Sequence, residues 1–171
     1  VRQGRFREQE TVDLLGSGPH RARDITERLS DLRAAVAANA AGVRLLLELV
    51  ERYGLDVVQA YMRHVRENAE EAMRAVLAEL PDGRHEFADF LDDGSRIAVT
   101  VSIEGDHAHV DFTGTDPQLS GNLNAPRAVV IAAVLYVFRT LIARPVPLNA
   151  GCLAPISITV PAGSLLNPRP P

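Results

Sequence analysis

Only one cysteine, Cys152, occurs among the 171 residues. A lone thiol excludes an intrachain disulfide, and its plain setting is the cytoplasm. Long hydrophobic runs are also absent. The longest, 128–138, is bounded by Arg127 and Arg139. It falls short of the roughly 20 residues that a membrane-crossing helix needs, so it reads as a helix buried in protein. The first residues are polar and basic with no apolar stretch behind them, which leaves no signal peptide to read. There is no excess of positive charge. Eighteen Lys and Arg face 22 Asp and Glu for a net charge of −4, so nothing favours nucleic acid or an anionic membrane as a partner. No G-x-x-x-x-G-K-[ST] pattern and no lysine-bearing Gly-rich loop is present to cradle phosphates. No internal repeat is visible. Position 1 is Val1 rather than a start methionine, and Asn167-Pro168-Arg169-Pro170-Pro171 has the composition of a connecting loop. The expectation is therefore a piece excised from something larger.

What is present is ordinary globular material. Hydrophobic residues make up 46% and charged residues 23%, enough apolar content for one domain with a core. Residues 1–30 show no clear period and read as an irregular lead-in, partly mobile over 1–22. Ser30 or Asp31 is the candidate cap of the helix that follows. There Leu32, Val36, Ala40, Val43, Leu47 and Val50 recur every three or four residues and mark one apolar face. Asn39 sits at the edge of that face. Gly54 supplies a stop. In the next stretch Val58, Tyr61, Val65, Ala69, Met73, Val76 and Leu80 keep the spacing until Pro81-Asp82-Gly83. Two long amphipathic helices joined by a tight turn predict an antiparallel helical hairpin over 31–83.

The period then changes to two. Residues 84–91 suit a strand. Ile97, Val99, Val101 and Ile103 alternate with Ala98, Thr100 and Ser102 in a second. Glu104-Gly105-Asp106 is a hairpin connection, and 107–112 is the third strand of an antiparallel β-meander. A Gly- and Pro-containing loop, 113–123, leads to Asn124 as a candidate N-cap, with Pro126 in the first turn of the apolar helix. Pro145 and Pro147 break that helix near Ile142. A short strand over 156–160 follows the irregular loop Asn149-Ala150-Gly151-Cys152. The fold class expected is α+β: the helical hairpin beside a small antiparallel meander and a buried helix, with 84–171 as one part of a larger domain.

Three stretches stand out together. The first is Asp111-Phe112-Thr113-Gly114-Thr115-Asp116-Pro117-Gln118. The second is Gly121-Asn122-Leu123-Asn124-Ala125-Pro126. The third is Pro147-Leu148-Asn149-Ala150-Gly151-Cys152-Leu153-Ala154-Pro155, closed by Pro161-Ala162-Gly163-Ser164-Leu165-Leu166-Asn167-Pro168. In this order and spacing they resemble the hydantoinase B/5-oxoprolinase family, from about residue 31 to the end. The segments Asp31-Leu32-Arg33-Ala34 and Glu51-Arg52-Tyr53-Gly54-Leu55 are similar to the family sequence just upstream.

The resemblance implies one part of the B subunit of an ATP-dependent hydrolase of cyclic amides, of the N-methylhydantoinase or 5-oxoprolinase kind. It implies a hetero-oligomer in which a hydantoinase A-type partner holds the ATP. It also implies a divalent metal, if one is used, in the part of the subunit that precedes this sequence. A related branch, the acetone carboxylases, carboxylates a ketone instead. The alternative is a non-catalytic scaffolding module that holds such a complex together. On the resemblance, ATP activates the amide carbonyl by phosphorylating its oxygen. This segment lacks a P-loop and is not expected to bind ATP or to turn over alone.

The candidate substrate-binding residues are Asp111, Thr113, Thr115, Asn122, Asn124 and Asn149. Their donors and acceptors suit an amide ring or a phosphate, while Gly114 and Gly121 allow close backbone approach. The competing reading is structural: Asp and Asn side chains tie down their own loops. His107, His109 and Asp111 alternate along one strand and share a face. The ends of that set are ~13 Å apart, too far to share one ion, so a solvated polar face is preferred and no metal ligand is assigned. Cys152 is a candidate thiol, though a nucleophile would need a neighbouring base or helix N-terminus. A small buried thiol is the plainer reading. His20, His64 and His85 read as surface residues.

Overall fold

The computed structural model describes residues 1–17 and 21–169. His20, Pro170 and Pro171 lie outside the described residues. Among those described there are four α-helices and one four-stranded sheet, ordered α1 (Glu8–Gly16), α2 (Ile25–Tyr53), α3 (Leu55–Glu79), β1 (Gly83–Phe90), β2 (Arg96–Glu104), β3 (His107–Asp111), α4 (Arg127–Thr140) and β4 (Ile156–Thr159). The chain divides into two compact units, Val1–Ala60 and Tyr61–Pro171. The two arms of the expected helical hairpin come from different units, because α3 crosses the division.

The first unit corrects the expected lead-in. Residues 8–16 form α1, whose Glu8 pairs with Arg33 of α2. A nine-residue helix with no buried residue carries too weak a pattern to be read from sequence. Helix α2 starts at Ile25, not near residue 31. Asp24, at φ +46°, caps it by accepting the Glu27 N–H at 3.1 Å. Ser30 and Asp31 lie inside the helix, with the Ser30 hydroxyl donating to the Thr26 carbonyl. Gly54, at φ +84°, ends it as expected, its N–H on the Val50 carbonyl at 2.8 Å. The predicted apolar face is real as a pattern, but Leu32, Val43 and Leu47 are exposed and Leu29 is the buried residue of α2.

In the second unit strand alternation builds the core. The β1–β2–β3 meander is antiparallel, as the period of two predicts. Glu104 faces His107 across a two-residue loop, and Gly105 takes φ +58° at its first position, fitting a II′ turn. The fourth strand changes the sheet from antiparallel to mixed. β4 pairs parallel to β3, from Ala108 opposite Ile156 to Asp111 opposite Thr159. The connection passes through α4, as a parallel pair requires.

One face of the sheet is apolar. Ile103, Ala108, Val110 and Ile156 pack there with Ala69, Met73 and Leu77 of α3 and Val134 and Phe138 of α4. Each large side chain so buried contributes about 1.5–3 kcal/mol. Helix α4 buries only this face. Val129, Tyr136 and Val137 on its other side are 54%, 73% and 58% exposed, so the fully buried helix expected from sequence is half exposed within this chain.

The 3₁₀ turn Ala150–Leu153 is pressed against α3. A Cβ at Gly151 would sit 2.0 Å from the Arg66 carbonyl oxygen, so only glycine fits. Gly151→Ala should destabilise the protein by about 1–3 kcal/mol or more, because backbone rather than a flexible side chain must move. Gly121→Ala, which meets nothing within 4 Å, is the control. Urea unfolding of both variants checks this.

Candidate functional site

The second sheet face is polar, and strand register orders it. Glu86 faces Thr100, Thr100 faces Asp111, and Asp111 faces Thr159. In the adjacent row Arg84, Ser102, His109 and Ser157 lie opposite one another in turn. Paired residues project to the same side, so the two rows form one surface across all four strands. The ring Nε2 of His109 lies 2.9 Å from the Thr159 hydroxyl. The solvated face expected for His107, His109 and Asp111 is thus part of a wider polar surface. Among the described residues no group of three or more His, Cys, Asp and Glu side chains is arranged to hold a metal ion.

The loop after β3 curls over one end of this face. Asp111 accepts from both the Thr113 N–H (2.9 Å) and the Thr113 hydroxyl (2.6 Å). These bonds, the hydroxyl first, hold its carboxyl below the usual aspartate range against the opposing effect of burial, and the charges of His109 and Arg84 add to them. The Thr115 hydroxyl donates to the Ala98 carbonyl and accepts from the Ala98 N–H, both at 3.1 Å. One hydroxyl thereby replaces a missing strand partner. Asp116 completes the line. Its carboxylate takes the Arg96 N–H at 2.7 Å, and its own N–H reaches the Arg96 carbonyl at 2.9 Å.

A groove of about 300 Å³ opens beside this loop, lined among others by Arg84, Glu86, Arg96, Thr100 and Thr113. Arg84 and Glu86 are paired at 2.8 Å along β1. Of the expected site residues, Thr113 lines this groove, Asp111 is bonded to it from β3, and Thr115 anchors the loop above β2. Asn122 is exposed and apart. Asn124 caps no helix: Pro126 occupies the N-cap position of α4, one step before its first turn. The Asn124 amide instead accepts the Leu119 N–H and donates to the Leu119 and Gly121 carbonyls, at 2.8, 2.8 and 3.1 Å. Asn149 lies elsewhere, donating to the Val65 and Pro147 carbonyls and accepting the Gly151 N–H. Cys152 is fully buried in the main core cluster, as the plainer reading had it. Arg84, Arg96, Glu86 and Thr100 were missed. Strand alternation together with the Gly105-Asp106 turn could have placed them on the same face as Asp111.

Two predictions follow from these contacts. Thr113→Val should raise the Asp111 pKa toward the ordinary value, read by carbon NMR of the carboxyl. The native carboxyl is depressed, so its stabilising contribution is complete above the unfolded value of about 3.9 and lost as pH falls through the folded value. The variant should therefore lose less stability on acidification. Asn124→Ala should cost about 1–3 kcal/mol by orphaning the Leu119 backbone, while Asn122→Ala should stay within about 0.5 kcal/mol of the parent. Denaturant melts decide both.

Known proteins match this architecture over its whole length. The family model described as Hydantoinase B/oxoprolinase covers residues 1–171. The 5-oxoprolinase 1 of Arabidopsis thaliana is 44% identical over 192 residues, covering 98% of this chain and 15% of that protein. The caprolactamase subunit beta of Pseudomonas jessenii is 33% identical over 176 residues, covering 99% of this chain and 29% of that subunit. The crystal structure of ATP-dependent caprolactamase from the same species superposes with a TM-score of 0.79 at 34% identity, over 99% of this chain and 30% of that one. The chain spans less than a third of the length of each.

Proposed function

The chain belongs to the hydantoinase B/oxoprolinase family, and from that premise we propose that it is a segment of the B-type subunit of an ATP-dependent cyclic-amide hydrolase. The observation that carries this reading is the 44% identity with a 5-oxoprolinase across nearly the whole chain. The word subunit in the caprolactamase relative's name supports an assembly of more than one chain. An A-type partner would supply ATP, since no P-loop exists here. The described residues gather no metal-ligand cluster, so no metal step is assigned to this segment. Asp111, Thr113 and the polar sheet face are the part of it offered to a substrate. Thr115, Asn124 and Asn149 hold loops in place. The cytoplasm is the proposed setting. Among the described residues no helix is long and apolar enough to cross a membrane.

A second reading, a scaffolding module, is favoured by the apolar surface of α2. Leu45, Leu46, Leu47 and Leu49 are 52%, 44%, 62% and 44% exposed, an arrangement suited to contact with another segment or subunit. The two readings separate in one assay. The complete subunit with its A-type partner should show ATP turnover dependent on a cyclic amide, and this segment alone none. Turnover dependent on a ketone and bicarbonate would instead place it in the carboxylase branch. If Asp111→Asn and Thr100→Val leave turnover of the complete complex unchanged, the segment scaffolds.

A further inference from the structure

The strongest unassigned feature is the groove between β1, β2 and the Thr113 loop. Three charged side chains line it: Arg84, Glu86 and Arg96. The Glu86 carboxylate is already taken by Arg84, at 2.8 Å. Arg96 forms no ion pair with any described residue. Its side chain makes one hydrogen bond, from Nη1 to the Gly114 carbonyl at 3.3 Å.

The position of Arg96 is set from two sides. Asp116 binds both its N–H and its carbonyl, which fixes the Cα at the mouth of the groove. Gly114, at φ +94°, a backbone conformation that L side chains rarely adopt, turns its carbonyl toward the guanidinium. The remaining guanidinium donors meet no acceptor among the described residues. The Thr113 hydroxyl is committed to Asp111 and would accept rather than donate. A planar, always-charged donor held by its own backbone suits an oxyanion, which it can meet with two parallel N–H bonds.

We propose that this groove is an oxyanion-binding site in which the Arg96 guanidinium takes the charge. A carboxylate on the ligand and a phosphoryl group share this chemistry. The Glu86 and Asp111 carboxylates flank Thr100 from the two neighbouring strands and disfavour an anion placed deeper on the sheet. The oxyanion is therefore confined to the Arg96 end. This inference stands on the groove alone and does not depend on what the complete enzyme hydrolyses.

The test is titration of the 171-residue chain by amide and arginine NMR at low ionic strength, with inorganic phosphate, 5-oxoprolinate and the uncharged lactam 2-pyrrolidinone as probes. The two anions should shift the Arg96 Nε–H and the Thr113 and Gly114 amides, with Kd values in the millimolar range. The neutral lactam should leave them unmoved. R96Q should weaken anion binding at least about tenfold, and R96K by less because charge survives without the fork. R63Q, at an exposed position on α3, should change nothing. A stronger response to phosphate assigns the groove to a phosphoryl group, and a stronger response to 5-oxoprolinate assigns it to a ligand carboxylate. Equal response of R96Q and parent, or no saturable shift at these amides, overturns the proposal. Neither result bears on the ATP-turnover assay, so the two readings fail separately.

Discussion

The second unit depends on one constraint: its sheet is apolar on one face only. Ile103, Ala108, Val110 and Ile156 face α3 and α4, and the residues between them face away. Because side chains alternate strictly along a strand, the core dictates what the opposite face must be. A one-residue slip of β2 against β3 would bury Ser102 in place of Ile103, or His109 in place of Val110. The hydrophobic term that closes the core therefore also sets the register that lines up Glu86, Thr100, Asp111 and Thr159. The site is precise because the core is.

The first two stretches that carried the family resemblance meet the closing part of the third, 161–168. The Asp116 carbonyl accepts from Leu165 N–H, the Leu165 carbonyl accepts from Ala125 N–H, and the Gln118 N–H reaches the Gly163 carbonyl. The Gln118 side chain also pairs with the Arg169 backbone at both ends of its amide. Beneath this braid Val130, Leu165 and Leu166 form a second small core, to which Phe112, Leu119 and Ala125 contribute. Much of the motif is thus explained by mutual support between loops with no regular structure. Backbone groups there cannot pair within a helix or strand, so side chains such as Thr115 and Asn124 pair with them.

That division explains how much was legible beforehand. The strands were readable because burial on one face writes a period of two, and the Gly105-Asp106 turn is a local signal. The parallel pairing of β4 was not, because it joins residues on either side of α4 and nothing local encodes it. Helix α1 was missed because it buries nothing, so no period marks it. The polar residues of the loops were recognised as important, but residue type does not say which backbone group an amide will meet. Asn124 serves its own loop five residues back, while Asn149 reaches Val65, far away in sequence. A set that looked like one site thus resolves into a groove residue pair, several tethers and one exposed side chain.

The helices carry the opposite lesson. Helix α4 is apolar all round, and α2 carries leucines at 45, 46, 47 and 49 that no single face can hold. A helix of this kind is soluble only when covered on more than one side. Among the described residues α4 is covered along one stripe, Val130, Val134 and Phe138, while Val129, Tyr136 and Val137 are exposed. The same relatives that match this chain end to end are more than three times its length. Apolar surface left over here and length left over there are consistent with each other. The polar face of the sheet needs no such cover, because its groups are solvated or paired.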